Sequence, residues 1–560
     1  MSNKVFGIDL GTTYSCIAYI DKYDKPVVIK NAEGDLTTPS VVFFEHNGEV
    51  TVGASAKESS KMFPDESVAF IKRSIGKPNS NLIINGNTYQ PEVISSYILK
   101  KIVNDAHESL KQEGVIGENE EIKDVVITCP AYFGINERTA TQKAGEIAGL
   151  NVINIINEPT AAAITYGIVG NSDKSVVLVY DLGGGTFDIT MIDISKDQIK
   201  VICTGGDFNL GGKDWDEKIL LYLEDEYKKQ TNSTDSILDD PETLQELYLS
   251  VEKAKKLLSS KEKAPISINY NGNKVRVELT RDKFEELTSD LLERTILLTN
   301  DMIAEASKKG YKKEDINEIL LVGGSSKMPQ VTKRVEKEFN IPVKMFDPDE
   351  SVAKGAAIYA ARQSEFNIVL DQIAESSGKT KEEIEKELNN GKDIKTLAAE
   401  SKVDTSNRHY LCSSNDMKII NVTSRSFGIV AFDRDRNKKL FNLIVKNDEL
   451  PAVAFDNFCP MEDNQKDVSL VVMESLSDEK VIDLSLGTEV GKTILELPEG
   501  IKASTDIKVE FKLNEDGLLE LTAKEELTGK TISAKFETKD IISKEEAQKA
   551  TEMMKKTTIN

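Results

Sequence analysis

Two segments of this chain end an apolar, β-branched run in an aspartate and follow it with glycine and threonine. They are Phe6-Gly7-Ile8-Asp9-Leu10-Gly11-Thr12-Thr13 and Val179-Tyr180-Asp181-Leu182-Gly183-Gly184-Gly185-Thr186. A glycine-rich turn after a strand exposes backbone N–H groups that can surround phosphate oxygens, because no Cβ blocks the approach. The aspartate at the strand end offers oxygen to Mg²⁺, usually through water, since that ion dehydrates reluctantly. A third loop, Leu321-Val322-Gly323-Gly324-Ser325-Ser326-Lys327-Met328-Pro329, follows another strand-like run. One such loop alone reads equally well as a tight turn. Two alike, with Asp9 and Asp181 172 residues apart, plus the third, point to a duplicated unit with a phosphate-binding cleft between its copies. Gly487-Thr488-Glu489-Val490-Gly491-Lys492-Thr493 only imitates a P-loop: one residue is missing between the glycines and no helix follows.

Positioning these loops requires alternating strands and helices, and residues 1–362 show that alternation. Val125–Thr128, Ser175–Tyr180 and Glu318–Val322 read as buried strands; Asn136–Ala148 and Glu242–Leu258 read as helices. Residues 363–415 read as three short helices, Asn367–Glu375, Lys381–Asn389 and Ile394–Glu400. Thr380 with Glu383 forms a capping box, and Gly391 is placed to end the middle helix. From about residue 416 the pattern is all-β. Ile507–Leu513 alternates strictly, and Asp516-Gly517 suits a hairpin turn. Ser543 to Glu546 is another capping box, opening a short helix.

The chain has 560 residues, enough for two or more domains. Its net charge of -23 excludes a phosphate-backbone partner such as nucleic acid, which demands a basic surface. No apolar run reaches membrane-spanning length, so no membrane partner is expected, and no basic-then-apolar leader precedes the first strand. The scattered cysteines Cys16, Cys129, Cys203, Cys412 and Cys459 form no Cys-x-x-Cys pair. They are expected to be buried thiols in a reducing cytoplasm.

The loops, together with Ile127-Thr128-Cys129-Pro130-Ala131-Tyr132-Phe133, Ile156-Asn157-Glu158-Pro159-Thr160-Ala161-Ala162-Ala163, Asn209–Asp214 and Ala353–Ala357, closely resemble the seventy-kilodalton heat-shock chaperones of the DnaK type. That resemblance implies an α/β actin-like ATPase domain, a ribonuclease-H-like unit in duplicate, over 1–362. A helical insertion over 363–415, a β-sandwich substrate-binding domain over 416–540 and a short helical tail over 541–560 would follow. ATP or ADP would lie between two lobes with Mg²⁺, and K⁺ is a further candidate ion.

By the same resemblance, Gly11, Thr12, Thr13, Tyr14 and the loop Gly183, Gly184, Gly185, Thr186 would hold the phosphates. Asp9 and Asp181 would order Mg²⁺ and its waters. Lys72 would position the attacking water, Glu158 and Asp188 would orient it, and Thr186 would stand beside the γ-phosphate. Catalysis by positioning suits phosphoryl transfer. Glu252, Lys255, Lys256 and Ser259 would take the adenosine side, with Gly323, Gly324, Ser325 and Asp349 closing the pocket. Pro130 and Arg138 would relay nucleotide state to the second domain. There, Ile429, Phe432, Phe458, Met461, Val468 and Leu470 would line a groove for extended apolar segments of unfolded proteins; pattern alone assigns such alternating residues to a sandwich core.

This chain also departs from that family. Gly134-Ile135 and Asn154 stand where the family has Asn-Asp and Arg. Those positions help receive J-domain co-chaperones, so the resemblance leaves that partnership open, whereas a nucleotide exchange factor remains an expected partner. Lys418 interrupts the apolar linker Asp416-Met417-Lys418-Ile419-Ile420-Asn421, and the long helical lid is missing; weak domain coupling and brief holding of clients are therefore expected. Two rival readings stay open: a sugar kinase of the same superfold, and an ATP-switched adaptor whose β domain serves one dedicated partner.

Overall fold

A computed structural model describes residues 4–77, 79–169, 174–195, 198–390, 392–406, 408, 418–514, 518–525, 527–535 and 542–560. Its first half carries two sheets built on one plan, each of six strands once Lys418–Ile420 is counted in the second. In the first, Phe6–Asp9 pairs antiparallel with Tyr14–Ile20 and parallel with Asp124–Cys129, which in turn pairs parallel with Asn151–Asn157. In the second, Lys174–Leu182 pairs antiparallel with Phe187–Ser195 and parallel with Ile316–Val322, which pairs parallel with Val343–Met345. The sequence echo between the two phosphate-type loops is thus a repeat of topology, and each loop leaves the same strand of its sheet.

Strands buried on both faces explain the continuous apolar runs, since helices cover them. Ile8, Ile127 and Tyr97 belong to the core of the first lobe; Tyr180, Phe187 and Trp215 belong to that of the second. A 27-residue helix, Ser351–Ser377, spans the junction between the lobes and beyond. Its course corrects the expectation of a separate helix at Asn367–Glu375. No glycine or proline interrupts residues 356–377, so nothing stops the helix at 362. Lys381–Asn389, with the Thr380–Glu383 capping box, and Ile394–Glu400 fold back against its end around Ile373, Ile384 and Leu397. Gly391 and the Asp516-Gly517 turn lie outside the described residues.

The all-β part is two packed sheets. One has five strands, centred on Ser426–Phe432; the other has four, from Ala452–Phe458 to Thr531–Lys535. Gly487–Glu496 is a strand of the first sheet, so the P-loop imitation is not a phosphate loop. Of the described cysteines, Cys16, Cys129 and Cys203 are buried, but Cys459 is exposed beyond the end of a strand, which corrects the expectation for that residue. Cys412 is outside the described residues.

Three seams join the halves. Lys418–Ile420 adds a parallel strand to the edge Gln198–Asp207 of the second sheet, and Ile419 packs against that lobe's apolar interior. Pairing runs through backbone groups, which explains why the charged residue in the linker sequence does not prevent it. Ile135, from the first half, packs into the sandwich core beside Phe427. The Ser424 hydroxyl donates to the Phe133 carbonyl at 3.2 Å, and the Thr204 N–H donates to Asn447 Oδ1 at 3.1 Å. Finally, the helix Lys544–Lys556 lies against the first lobe, where Ile542 and Met554 enter the core. The chain beyond it pairs with the strand Val50–Val52: the Val50 N–H donates to the Thr558 carbonyl at 3.0 Å and the Asn560 N–H to the Val50 carbonyl at 2.9 Å.

Candidate functional site

Between the lobes is a cavity of about 480 Å³ into which all three glycine loops open. Each loop is placed by the strand it leaves, and small residues bring the loops together. A Cβ on Gly184 would lie 1.7 Å from Thr13 Oγ1, and one on Gly323 would lie 2.3 Å from Asp181 Oδ1. Gly323 also has φ +81°, a conformation that favours glycine.

At the closed end the Lys72 ammonium donates to Glu158 at 2.5 Å, and both are buried. Asp9 accepts from the Thr128 hydroxyl at 3.2 Å, and Asp188 accepts from the Ala131 N–H at 3.2 Å. Four carboxylates, Asp9, Glu158, Asp181 and Asp188, thus act electrostatically on one lysine. Burial, and then the Glu158 charge, push Asp9 up to about 7 and Asp181 and Asp188 well above the ordinary carboxylate range. Burial disfavours the charge on Lys72, but Glu158 and Asp9 outweigh it and raise its pKa. Such an excess of negative charge suits a divalent cation. Among the described residues no three histidine, cysteine or acidic groups converge to ligate one directly.

At the open end four side chains from both lobes clasp one another. The Tyr14 hydroxyl donates to Glu252 at 3.0 Å and accepts from Lys256 at 2.7 Å, while Lys57 pairs with Glu252. Burial works against the Glu252 charge, yet Lys57 and Lys256 hold it down to about 2. Of the residues expected from sequence in this pocket, Gly185 and Asp188 stand behind the wall and the others line it. Phe70, Lys213 and Asp216 also line it. Lys213 belongs to the Asn209–Asp214 segment and Phe70 stands two residues before Lys72, but only their placement in the fold reveals them; Asp216 is fixed by Lys255 at 2.7 Å.

The expected groove residues divide by burial. Ile429 and Leu470 are in the sandwich core, Phe458 and Val468 pack partly against it, and Phe432 and Met461 are exposed at 41% and 46%. Arg138 lies at the domain seam, donating to the Phe133 carbonyl at 3.2 Å and to Asn157. Pro130 is buried at the end of Asp124–Cys129.

A family model described as "Hsp70 protein" matches residues 5–373 and 369–559. The chain belongs to the Hsp70 family. This Hsp70 protein is 35% identical over 567 residues to "Chaperone protein DnaK" of Thermosipho melanesiensis, spanning 99% of this chain and 84% of the relative. The same figures hold for the protein of that name from Thermosipho africanus. As an Hsp70 protein it is an ATPase and an ATP-dependent chaperone in protein folding. No helix of the described residues is long and apolar enough to cross a membrane.

Proposed function

We propose that the two like lobes form an actin-like ATPase that binds ATP with Mg²⁺ in the 480 Å³ cavity and so governs the hold of the β-sandwich on extended apolar segments of unfolded proteins. The buried Lys72–Glu158 pair facing Asp9 and Asp181 carries this reading. In it, backbone N–H groups of the Gly11–Tyr14 and Gly183–Thr186 loops cradle the phosphates. Asp9 and Asp181 hold the hydrated ion, which supplies charge neutralisation of the phosphates when bound. Lys72 steers the γ-phosphate and the attacking water, Glu158 and Asp188 orient that water, and Thr186 stands beside the phosphate. Lys255, Lys256 and Ser259 receive the adenosine, with Gly323, Gly324, Ser325 and Asp349 across from them. Phe432, Phe458, Met461 and Val468 meet the client, with Ile429 and Leu470 backing them from the core. Pro130 and Arg138 lie on the path from pocket to seam.

The deciding experiment measures ATP turnover by the purified protein with and without a panel of unfolded peptides. Turnover that responds to many apolar peptides supports the reading. Phosphorylation of an added polyol would make the protein a kinase, and a response to one protein target alone would make it an adaptor.

A further inference from the structure

The backbone of Phe70 is left-handed, at φ 60° and ψ 22°, a conformation uncommon for a bulky residue and one that neighbouring contacts must enforce. Those contacts are visible. Two residues on, Lys72 is tied to Glu158 in one lobe; Arg73 crosses to the other, donating to the Gly185 carbonyl at 2.9 Å and to Asp214 at 2.7 Å. The Phe70 ring lines the cleft, where the Lys213 ammonium stands 5.0 Å from its centroid. The ring borders two chambers. One is the nucleotide cavity; the other, of about 250 Å³, lies alongside it and shares Thr12, Thr13, Lys213, Asp216 and Glu252 with it. Lys57, Ser60 and Gln245 line the second chamber, as do the buried hydroxyls of Thr13 and Ser67, neither of which makes a hydrogen bond among the described residues.

We propose that Phe70 is a gate between these chambers and that the second chamber is the way out for inorganic phosphate. This rests on the ATPase reading of the first cavity. Product phosphate forms at the closed end, beside Lys72. While ADP remains bound it blocks the open end, where Tyr14, Lys57, Glu252 and Lys256 are already clasped together. A path past the ring meets the Thr13 and Ser67 hydroxyls, which have no hydrogen-bond partner among the described residues, and Lys213 and Lys57, groups suited to an oxyanion. The two carboxylates that also line it, Asp216 and Glu252, are neutralised by Lys255 and by Lys57 and Lys256. Phe70 is then a positioning residue for release; it takes no part in cleavage.

The test is a single turnover of ATP by the full chain, with cleavage followed by acid quench and phosphate followed by a fluorescent phosphate sensor. Wild type should release phosphate with a lag behind cleavage. Phe70→Ala should shorten the lag about tenfold relative to its own cleavage step, whatever that step's rate. Phe70→Asn, which tolerates the left-handed turn but lacks the ring, should match Phe70→Ala, and Phe70→Tyr should keep the lag. A wild type without a lag would overturn the gate. So would a persistent lag in both ring-less variants while they bind ADP as wild type does. A wild type that neither binds ADP nor cleaves ATP would instead overturn the site assignment, and the gate with it.

Discussion

Glu474 of the β-sandwich points its carboxyl at Gly134 of the first half, so closely that a Cβ on residue 134 would lie 2.9 Å from Glu474 Oε2. The seam is therefore shaped around an absent side chain. Gly134→Asn should push aside the carboxyl ends of Glu474 and Glu137 and weaken docking by about 1–3 kcal/mol. The isolated steps at the nucleotide pocket should be spared. Small-angle scattering would show an extended particle; an unchanged, compact one would mean that the seam can yield.

The same contact makes docking pH-dependent. Burial lifts Glu474 to about 7; Arg425 lowers it, Glu137 raises it, and its Oε2 has no hydrogen-bond partner among the described residues. The docked form thus keeps a proton that the undocked form gives up near 4.5. Docking should be strongest below that value and weaken as pH rises through about 7, by roughly a hundredfold in all. Glu474→Gln should flatten the profile. Energy transfer between dyes on the two halves, read from pH 5 to 8, checks this; equal slopes in both proteins would refute it.

At the pocket, Lys72→Ala and Asp181→Asn should leave the fold intact and raise the barrier to hydrolysis by about 3 kcal/mol or more. Circular dichroism with a phosphate-release assay measures both. Normal turnover in purified Lys72→Ala would remove that lysine from the mechanism.

On the sandwich, Phe432→Ala and Met461→Ala should weaken client peptides without lowering the melting temperature, because both side chains are exposed and lie outside the sandwich core. Ile429→Ala should cost about 2–5 kcal/mol of stability, as a core truncation does. Fluorescence anisotropy of a labelled apolar peptide beside thermal melts separates the two. Unaltered peptide affinity in the double variant would move the client site elsewhere.

Local patterns were legible and long-range encounters were not. The strands before the glycine loops announce themselves as apolar runs, and the Thr380 and Ser543 caps depend only on residues three positions away. The clasp of Tyr14 by Glu252 and Lys256 joins residues that no local pattern relates. Gly134 and Ile135 stand out in sequence as departures, yet their reason appears only with the sandwich beside them: one makes room for Glu474 and the other fills its core. The linker's docking was hidden in the sequence because its pairing with Gln198–Asp207 is made by backbone, which side-chain character does not announce.

The docked tail has a consequence for how the protein is made. The core of the first lobe contains Ile155 and also Ile542, and 387 residues of synthesis separate them. At about 5–20 residues per second, on the order of 20–80 s pass before the ribosome supplies the missing pieces. Until then the surface that will receive Met554 and Ile542 stays bare, while the sandwich emerges and folds beside it. The earliest segment made is thus among the last to be sealed, and its closure waits on contacts of extreme sequence separation, the slowest kind to find. During its own birth this chaperone is an unfinished client.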